Sequence, residues 1–293
     1  IAIPTGIKIF NWLGTMAGGS ISLKTPMMFS IGFIAMFTIG GLTGVTHSMV
    51  PSDYQQQDTY YIVAHFHQVL FGGAIFALFG GIYYWFPKFT GRLMSEKLGQ
   101  VNFWLLFVGF NLTFQPMMVL GLLGMPRRIA TYPEDYGFDV WNLIATVGAF
   151  TIALGVLVFI INFIISLRGG EKTGNDPWDG RTLEWSIPSP PPHYNFAKVP
   201  QVHGLDAFWH EKYIEDRDGR PVPIPAGAAH GAEEDDVDPH SIHMPSPSYF
   251  PLVAALGFPL IGLGLLYSFP VVAVGALVLV VGLYGWVYEP ASE

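Results

Sequence analysis

The chain lacks cysteine and carries little charge. Of its 293 residues, 12% are charged and 51% are hydrophobic, whereas an average soluble domain has about 25% charged residues. The lack of cysteine excludes disulfides, zinc fingers, iron–sulfur clusters and thiolate-bound copper. The formal net charge of −8 argues against a nucleic-acid partner, which would need a basic surface. With a mean hydropathy of +0.40, this composition indicates a membrane protein.

Six apolar segments are long enough to cross a bilayer, which takes about 20 residues of helix. None contains a lysine or arginine, so together they predict an all-α, polytopic transmembrane helix bundle. A shorter apolar run at 1–14 is interpreted as part of one further helix. We therefore expect the sequence to be the C-terminal part of a larger polypeptide or assembly. The predicted spans are 26–47, 60–87, 99–123, 140–167, 249–267 and 270–288.

Residues 168–248 differ in composition from the rest of the chain. They hold 14 of the 22 acidic residues and are rich in proline and glycine. We interpret them as a water-exposed, partly extended linker. The linker separates a helical core at 1–167 from a two-helix transmembrane hairpin at 249–293. Because lysine and arginine concentrate in alternate loops, the positive-inside rule predicts a cytoplasmic linker and C-terminus.

The sequence His65-Phe66-His67 lies inside the second predicted span. Residues two apart lie roughly 200° apart around a helix, so the two imidazoles cannot share one metal. Each can instead bind a different planar cofactor, since histidine is the usual axial haem ligand and buried ionisable groups mark functional sites in membranes. The alternative is two core histidines that are hydrogen-bonded to neighbouring helices. His47, at the outer end of the preceding span, is interpreted as an interfacial residue without catalytic duty.

Lys8 lies in the apolar run at the start of the sequence. If its helix ends near Gly18, Lys8 lies about 15 Å from that end, at 1.5 Å per residue. This depth predicts either a partner or a water-filled path, with Thr5 one turn away on the same face. An ion pair with an acid on another helix is the structural alternative.

Two predicted outer loops combine acidic residues with arginines. Asp53 and Asp58 precede the histidine helix, Tyr60 begins it, and Arg127 and Arg128 lie between the next two spans. Adjacent guanidinium groups are bidentate donors to carboxylates, so they predict an anionic partner such as the propionates of haem. A salt bridge between the loops, for example from Arg127 to Asp53, is the alternative.

These elements occur in an order that resembles subunit I of the haem–copper terminal oxidases, in particular its bacterial aa3 and caa3 type cytochrome c oxidase branch. The resemblance runs from residue 1 to about residue 195. The C-terminal hairpin resembles an extension found on some bacterial members. The matching sequences are IPTGIK at 3–8, DTYYIVAHFH at 58–67, WFP at 85–87 and GMPRR at 124–128.

The resemblance implies a role for each matching residue. His65 would bind the iron of a high-spin haem and His67 that of a low-spin haem, with Phe66 beside the electron route between them. Lys8 and Thr5 would belong to a proton path. Asp53, Tyr60, Arg127 and Arg128 would hold haem propionates, and Asp58 would help to bind magnesium, although many members have histidine at the position of Gln57.

The resemblance also implies cofactors, partners and an activity. Two haems of the A type would bind to this chain, whereas the ligands of the active-site copper would lie upstream of residue 1. The expected activity is reduction of O2 to water with electrons from cytochrome c, coupled to proton translocation across a bacterial plasma membrane. The expected partners are the N-terminal half of subunit I, subunits II and III, cytochrome c and membrane lipid. A quinol-oxidising relative and a haem-free proton-coupled transporter are the alternatives.

Overall fold

The computed structural model describes residues 1–197, 199–202, 204–216, 220–224 and 247–289. Six helical segments in the described residues are long and apolar enough to cross a membrane, which confirms the predicted all-α transmembrane class. The helices are α1 (Ala2–Met16), α2 (Thr25–Ser48), α3 (Val50–Gln56), α4 (Tyr60–Leu70), a π-helix (Phe71–Ile75), α5 (Phe76–Thr90), α6 (Glu96–Leu122), α7 (Asp139–Gly169), α8 (Ala207–Lys212), α9 (Phe250–Tyr267) and α10 (Phe269–Val287). Two 3-10 turns (Glu134–Tyr136, Leu183–Trp185) and two short strands, β1 (Tyr213–Glu215) and β2 (Pro221–Pro223), complete the described elements.

The observed spans begin and end within three residues of the predicted ones. α4, the π-helix and α5 together form the second span, Tyr60–Thr90. Proline in the first turn begins α2, α9 and α10, where its missing N–H costs no helical hydrogen bond. Gly91, with φ of 68°, ends α5 in the left-handed conformation typical of a helix C-terminus.

The chain forms two compact units, Ile1–Pro191 and Pro192–Glu293. Phenylalanine dominates the core of the first unit. Phe29 of α2 is fully buried, and its ring centroid lies 5.5 Å from that of Phe79 in α5 and 5.2 Å from that of Phe103 in α6. These rings pack α2, α5 and α6 around a common core.

A π-helical turn interrupts the second span directly after the predicted histidine pair. Such turns are rare in proteins, and many of those that occur lie at functional sites. Within it, a Cβ added to Gly72 would lie 2.8 Å from the Cβ of Met36 in α2. Glycine therefore permits the close approach of this span to α2, the helix that also faces the first histidine.

The first part of the predicted linker belongs to the first unit, where it packs on α5. Trp185 is fully buried, and its Nε1 donates to the Tyr84 hydroxyl at 3.1 Å. The Nε1 of Trp178 donates to the Tyr84 carbonyl at 2.8 Å. The structure therefore differs from a water-exposed linker beginning at residue 168, because two tryptophans bury apolar surface within an otherwise polar sequence.

The second unit contains α8, the antiparallel pair β1–β2 and the helices α9 and α10. Ser268 alone separates α9 from α10, as expected for a short-turn helical hairpin. A Cβ on Gly264 would collide with the backbone of Val272, so the two helices approach closely along a glycine face. Residues 225–246 of the predicted linker lie outside the described residues.

Candidate functional site

His65 and His67 face different helices, as their spacing predicts. The His65 ring lies against α2. The His67 ring stacks on Phe114 of α6, with centroids 4.5 Å apart and planes 16° apart. Phe66, between them, is 36% exposed. One short segment of α4 thus presents imidazoles in two directions.

The Nδ1 atom of His65 is hydrogen-bonded to α2. It lies 3.0 Å from the carbonyl oxygen of Gly40 and 2.9 Å from the hydroxyl oxygen of Thr43. Because a carbonyl only accepts hydrogen bonds, Nδ1 carries the ring proton and donates it. The Thr43 hydroxyl itself donates to the Gly40 carbonyl at 2.8 Å. The neutral imidazole therefore has its lone pair on Nε2.

His67 has the same tautomer for the same reason. Its Nδ1 donates to the carbonyl of Val63, one turn earlier in α4, at 2.8 Å. Within the described part of the chain, neither histidine makes a hydrogen bond through Nε2. An imidazole with Nδ1–H held by a carbonyl and Nε2 uncommitted is the arrangement typical of metal-ligating histidine. Both residues therefore fit axial ligands of two separate haem irons.

Gly44 permits the close approach of the His65 imidazole to α2. A Cβ at this position would lie 2.9 Å from Cε1 and 3.6 Å from Nε2 of the imidazole. A side chain at residue 44 would therefore crowd the edge at which a metal binds. Glycine at this position therefore helps to hold the ring against α2 with its Nε2 edge uncrowded by a side chain.

The structure joins the two loops that were predicted to act together. The backbone N–H of Tyr60 donates to the Met125 carbonyl at 3.0 Å, and that of Arg127 donates to the Asp58 carbonyl at 2.9 Å. An antiparallel bridge lies between these two bonds. The start of α4 is therefore fixed to the loop that follows α6.

Arg127 forms an ion pair with Asp58. Its Nε donates to Oδ1 at 2.7 Å, and Nη2 contacts the same oxygen. Arg127 thus pairs with Asp58 and not with Asp53, the partner suggested by the sequence alternative. Asp53 instead lies 3.8 Å from Nδ1 of His47. Arg128 is exposed, so its guanidinium is accessible. Its backbone lies in the left-handed region, with φ of 66°.

Lys8 and Thr5 lie on α1, which has no buried residue among those described. The Nζ of Lys8 lies 5.9 Å from the ring centroid of Trp12. The Thr5 hydroxyl donates to the Ile1 carbonyl at 3.0 Å. Neither residue makes a hydrogen bond or ring contact with the histidine pair in the described part of the chain. Their place in a proton path stays a prediction.

Three residues of α2 were missed as parts of the site. Gly40 and Thr43 hold Nδ1 of His65. His47, interpreted as interfacial, has a side chain only 16% exposed and a ring centroid 4.9 Å from that of His65. Residues three and four apart share a helix face, so the sequence alone places these three residues on one face of α2. It does not show that this face packs against α4.

Comparison with known proteins places the chain in a family. The family model described as "Cytochrome C and Quinol oxidase polypeptide I" matches residues 1–151. Cytochrome c oxidase subunit 1 of Bacillus sp. (strain PS3) is 47% identical over 285 residues, which cover 95% of this chain and 44% of that protein. Cytochrome c oxidase subunit 1 of Synechocystis sp. is 53% identical over 200 residues, 68% of this chain and 36% of that protein.

A quinol oxidase also matches over most of the chain. Quinol oxidase subunit 1 of Bacillus subtilis is 43% identical over 275 residues, covering 92% of this chain and 39% of that protein. The chain spans less than half the length of each of these relatives. The family match and these identities over most of the chain show that it belongs to the subunit I family of cytochrome c and quinol oxidases.

Proposed function

We propose that this chain is the haem-ligating C-terminal part of subunit I of a terminal oxidase. The complex would reduce dioxygen to water with electrons from cytochrome c and translocate protons. The observation that carries the proposal is the geometry of His65 and His67. Their Nδ1 atoms are held by carbonyls at 3.0 and 2.8 Å, and their Nε2 atoms are available to two different irons.

In this proposal His65 would hold the oxygen-binding haem and His67 the electron-transferring haem. The two haems, of the A type, and a copper ion bound by the N-terminal half of the subunit supply the redox chemistry when bound. Residues two apart in a helix differ by about 3 Å in rise, so α4 would keep the two cofactors close together. Phe66 would lie beside the route between them.

The outer loops would hold the haem carboxylates. Arg128 is exposed, and Arg127 has a side chain 27% exposed, so both guanidiniums can meet an anionic group. Asp53 and Tyr60 would complete these contacts. Four donors and acceptors on one side of the bundle would fix the haem planes.

Two further roles follow from the family. Lys8 and Thr5 would convey protons along α1. Asp58 would take part in a magnesium site: Arg127 occupies its Oδ1, and Oδ2 makes no hydrogen bond in the described part of the chain. Magnesium prefers oxygen ligands and keeps several waters, so one carboxylate oxygen suits it.

We also propose the location and partners. The distribution of lysine and arginine supports a bacterial plasma membrane protein with a cytoplasmic linker and C-terminus. The chain would assemble with the N-terminal half of subunit I, subunits II and III and membrane lipid, and it would receive electrons from cytochrome c. Quinol is the second candidate donor, because a quinol oxidase subunit is 43% identical.

The experiment is purification of the assembled complex, followed by haem analysis and oxygen uptake. Pyridine haemochrome and reduced-minus-oxidised spectra should show two haems for each copy of this chain. Reduced cytochrome c should drive oxygen consumption. Uptake with quinol alone would favour the second candidate. A complex without Soret absorbance would contradict both and favour the haem-free transporter.

A further inference from the structure

His47 is a half-buried polar residue that the roles proposed above leave unused. It lies in the last turn of α2, and its side chain is only 16% exposed. Both ring nitrogens are buried, and neither has a hydrogen-bond partner in the described part of the chain. Buried polar atoms are almost always hydrogen-bonded in folded proteins. The unsatisfied ring therefore indicates a group that these residues do not supply.

The neighbours of His47 indicate where that group lies. Its ring packs edge-on against His65, with centroids 4.9 Å apart, and against Tyr61, with centroids 5.2 Å apart. A porphyrin bound through Nε2 of His65 is much wider than the imidazole that holds it. Residues beside His65 would therefore lie under a haem held there, and His47, in the last turn of α2, would lie toward the rim of that haem.

A cavity lies beside His47, at the C-terminal end of α2. The Nδ1 atom of His47 and Oδ1 of Asp53 are 3.8 Å apart, too far for a hydrogen bond. Asp53 is already proposed as a propionate-binding residue. The cavity has a volume of about 320 Å³ and is lined by His47, Ser48, Val50, Asp53, Tyr54 and Gln57.

We propose that His47 is a further haem-binding residue, whose ring N–H donates a hydrogen bond to a propionate of the haem held by His65. This inference rests on the proposed function. A neutral imidazole keeps one N–H donor, and a carboxylate only accepts. The bond to an ionised carboxylate is charge-assisted and short.

A divalent cation between His47 and Asp53 is the competing occupant. Imidazole nitrogen and carboxylate oxygen are both ligands of zinc. However, the described residues contain no group of three His, Cys, Asp or Glu side chains placed to hold a metal. Two protein ligands are fewer than protein zinc sites use. The observations favour the propionate, and the cation is an outcome of the test.

The test uses the assembled oxidase with His47→Leu, which removes the donor, and His47→Gln, which keeps an N–H donor at a different position. His210→Leu, at an exposed histidine of α8, is the matched control. Redox-difference infrared spectra are recorded with isotope-labelled haem carboxyls, so that propionate bands are separated from those of Asp53. The midpoint potential of each haem and the metal content are measured on the same samples.

We expect His47→Leu to shift one propionate band and to lower the midpoint potential of the high-spin haem, because the carboxylate loses a donor and its charge then favours ferric iron. The low-spin haem and the His210→Leu control should not change. His47→Gln should give a smaller shift of the same band. If His47→Leu does not assemble, the glutamine variant decides alone, and an unshifted propionate band overturns the proposal.

Two other outcomes also overturn it, for different reasons. A stoichiometric divalent metal in the wild type that is lost in His47→Leu, with unchanged propionate bands, would assign the cavity to a cation. Haem-containing wild type and variants with identical spectra would refute the inference while leaving the proposed function intact. A wild-type complex without haem would refute the proposed function itself.

Discussion

The hydroxyl oxygen of Thr43 lies 2.9 Å from Nδ1 of His65, across the interface between α2 and α4. The same hydroxyl donates to the Gly40 carbonyl, which also accepts from His65. Two groups of α2 therefore fix the tautomer and orientation of one imidazole. Such partners orient the ring of a metal-ligating histidine and raise its basicity.

Replacing Thr43 with valine should weaken the high-spin haem site. Valine keeps the shape but loses the hydroxyl, and loss of such a partner costs about 10- to 100-fold in affinity or activity. Thr43→Ser should retain most of the haem, because serine restores the hydroxyl. The carbon monoxide difference spectrum measures the high-spin haem. Equal spectra for the two variants would show that the hydroxyl does not position His65.

The sequence predicted the spans well, because an uncharged apolar run of about 20 residues is typical of a membrane-spanning helix. It could not predict the contacts of His65, since Gly40 and Thr43 lie on a different helix. The pairing of Arg127 with Asp58 likewise depends on a bridge between two loops. Hydropathy places His47 at the end of a span but could not predict its ring contacts with His65 and Tyr61.

The close approach of α4 to α6 should make Gly121 intolerant of a side chain. A Cβ there would collide with the backbone of Tyr61, at the start of α4. Gly121→Ala should destabilise the complex by about 1–3 kcal/mol or more, since neither backbone can yield easily. Gly41→Ala is the control, because nothing lies within 4 Å of a Cβ at that position. Thermal unfolding of the purified complex compares them, and equal stabilities would contradict this packing.

The ion pair of Arg127 with Asp58 should contribute little to stability. The carboxylate side chain is 67% exposed, and exposed pairs contribute about 0–1 kcal/mol. Arg127→Gln should therefore leave thermal stability nearly unchanged, while the backbone bridge persists. If Arg127 binds a propionate, the midpoint potential of a haem should still fall. Loss of stability with unchanged potentials would assign the residue a structural role alone.

Lys88 should hold the segment 170–191 against the rest of the first unit. It is only 4% exposed, and its Nζ donates to the carbonyls of Asn175 at 3.2 Å and Ile187 at 2.7 Å. Hydrogen bonds to a charged group contribute about 1.5–3 kcal/mol each. Lys88→Met should expose this segment to proteolysis, whereas Lys97→Met, at an exposed lysine, should not. Cleavage patterns that match the wild type in both variants would rule out this role.

The central claim is that two imidazoles of one helix hold two separate haems. The most direct measurement is the optical spectrum of the assembled complex with His65→Ala and, separately, with His67→Ala. His65→Ala should abolish the high-spin, carbon-monoxide-binding species and keep the low-spin band, whereas His67→Ala should do the reverse. Both variants should still insert into the membrane. If both haem signals survived either substitution, the ligand assignment would be contradicted.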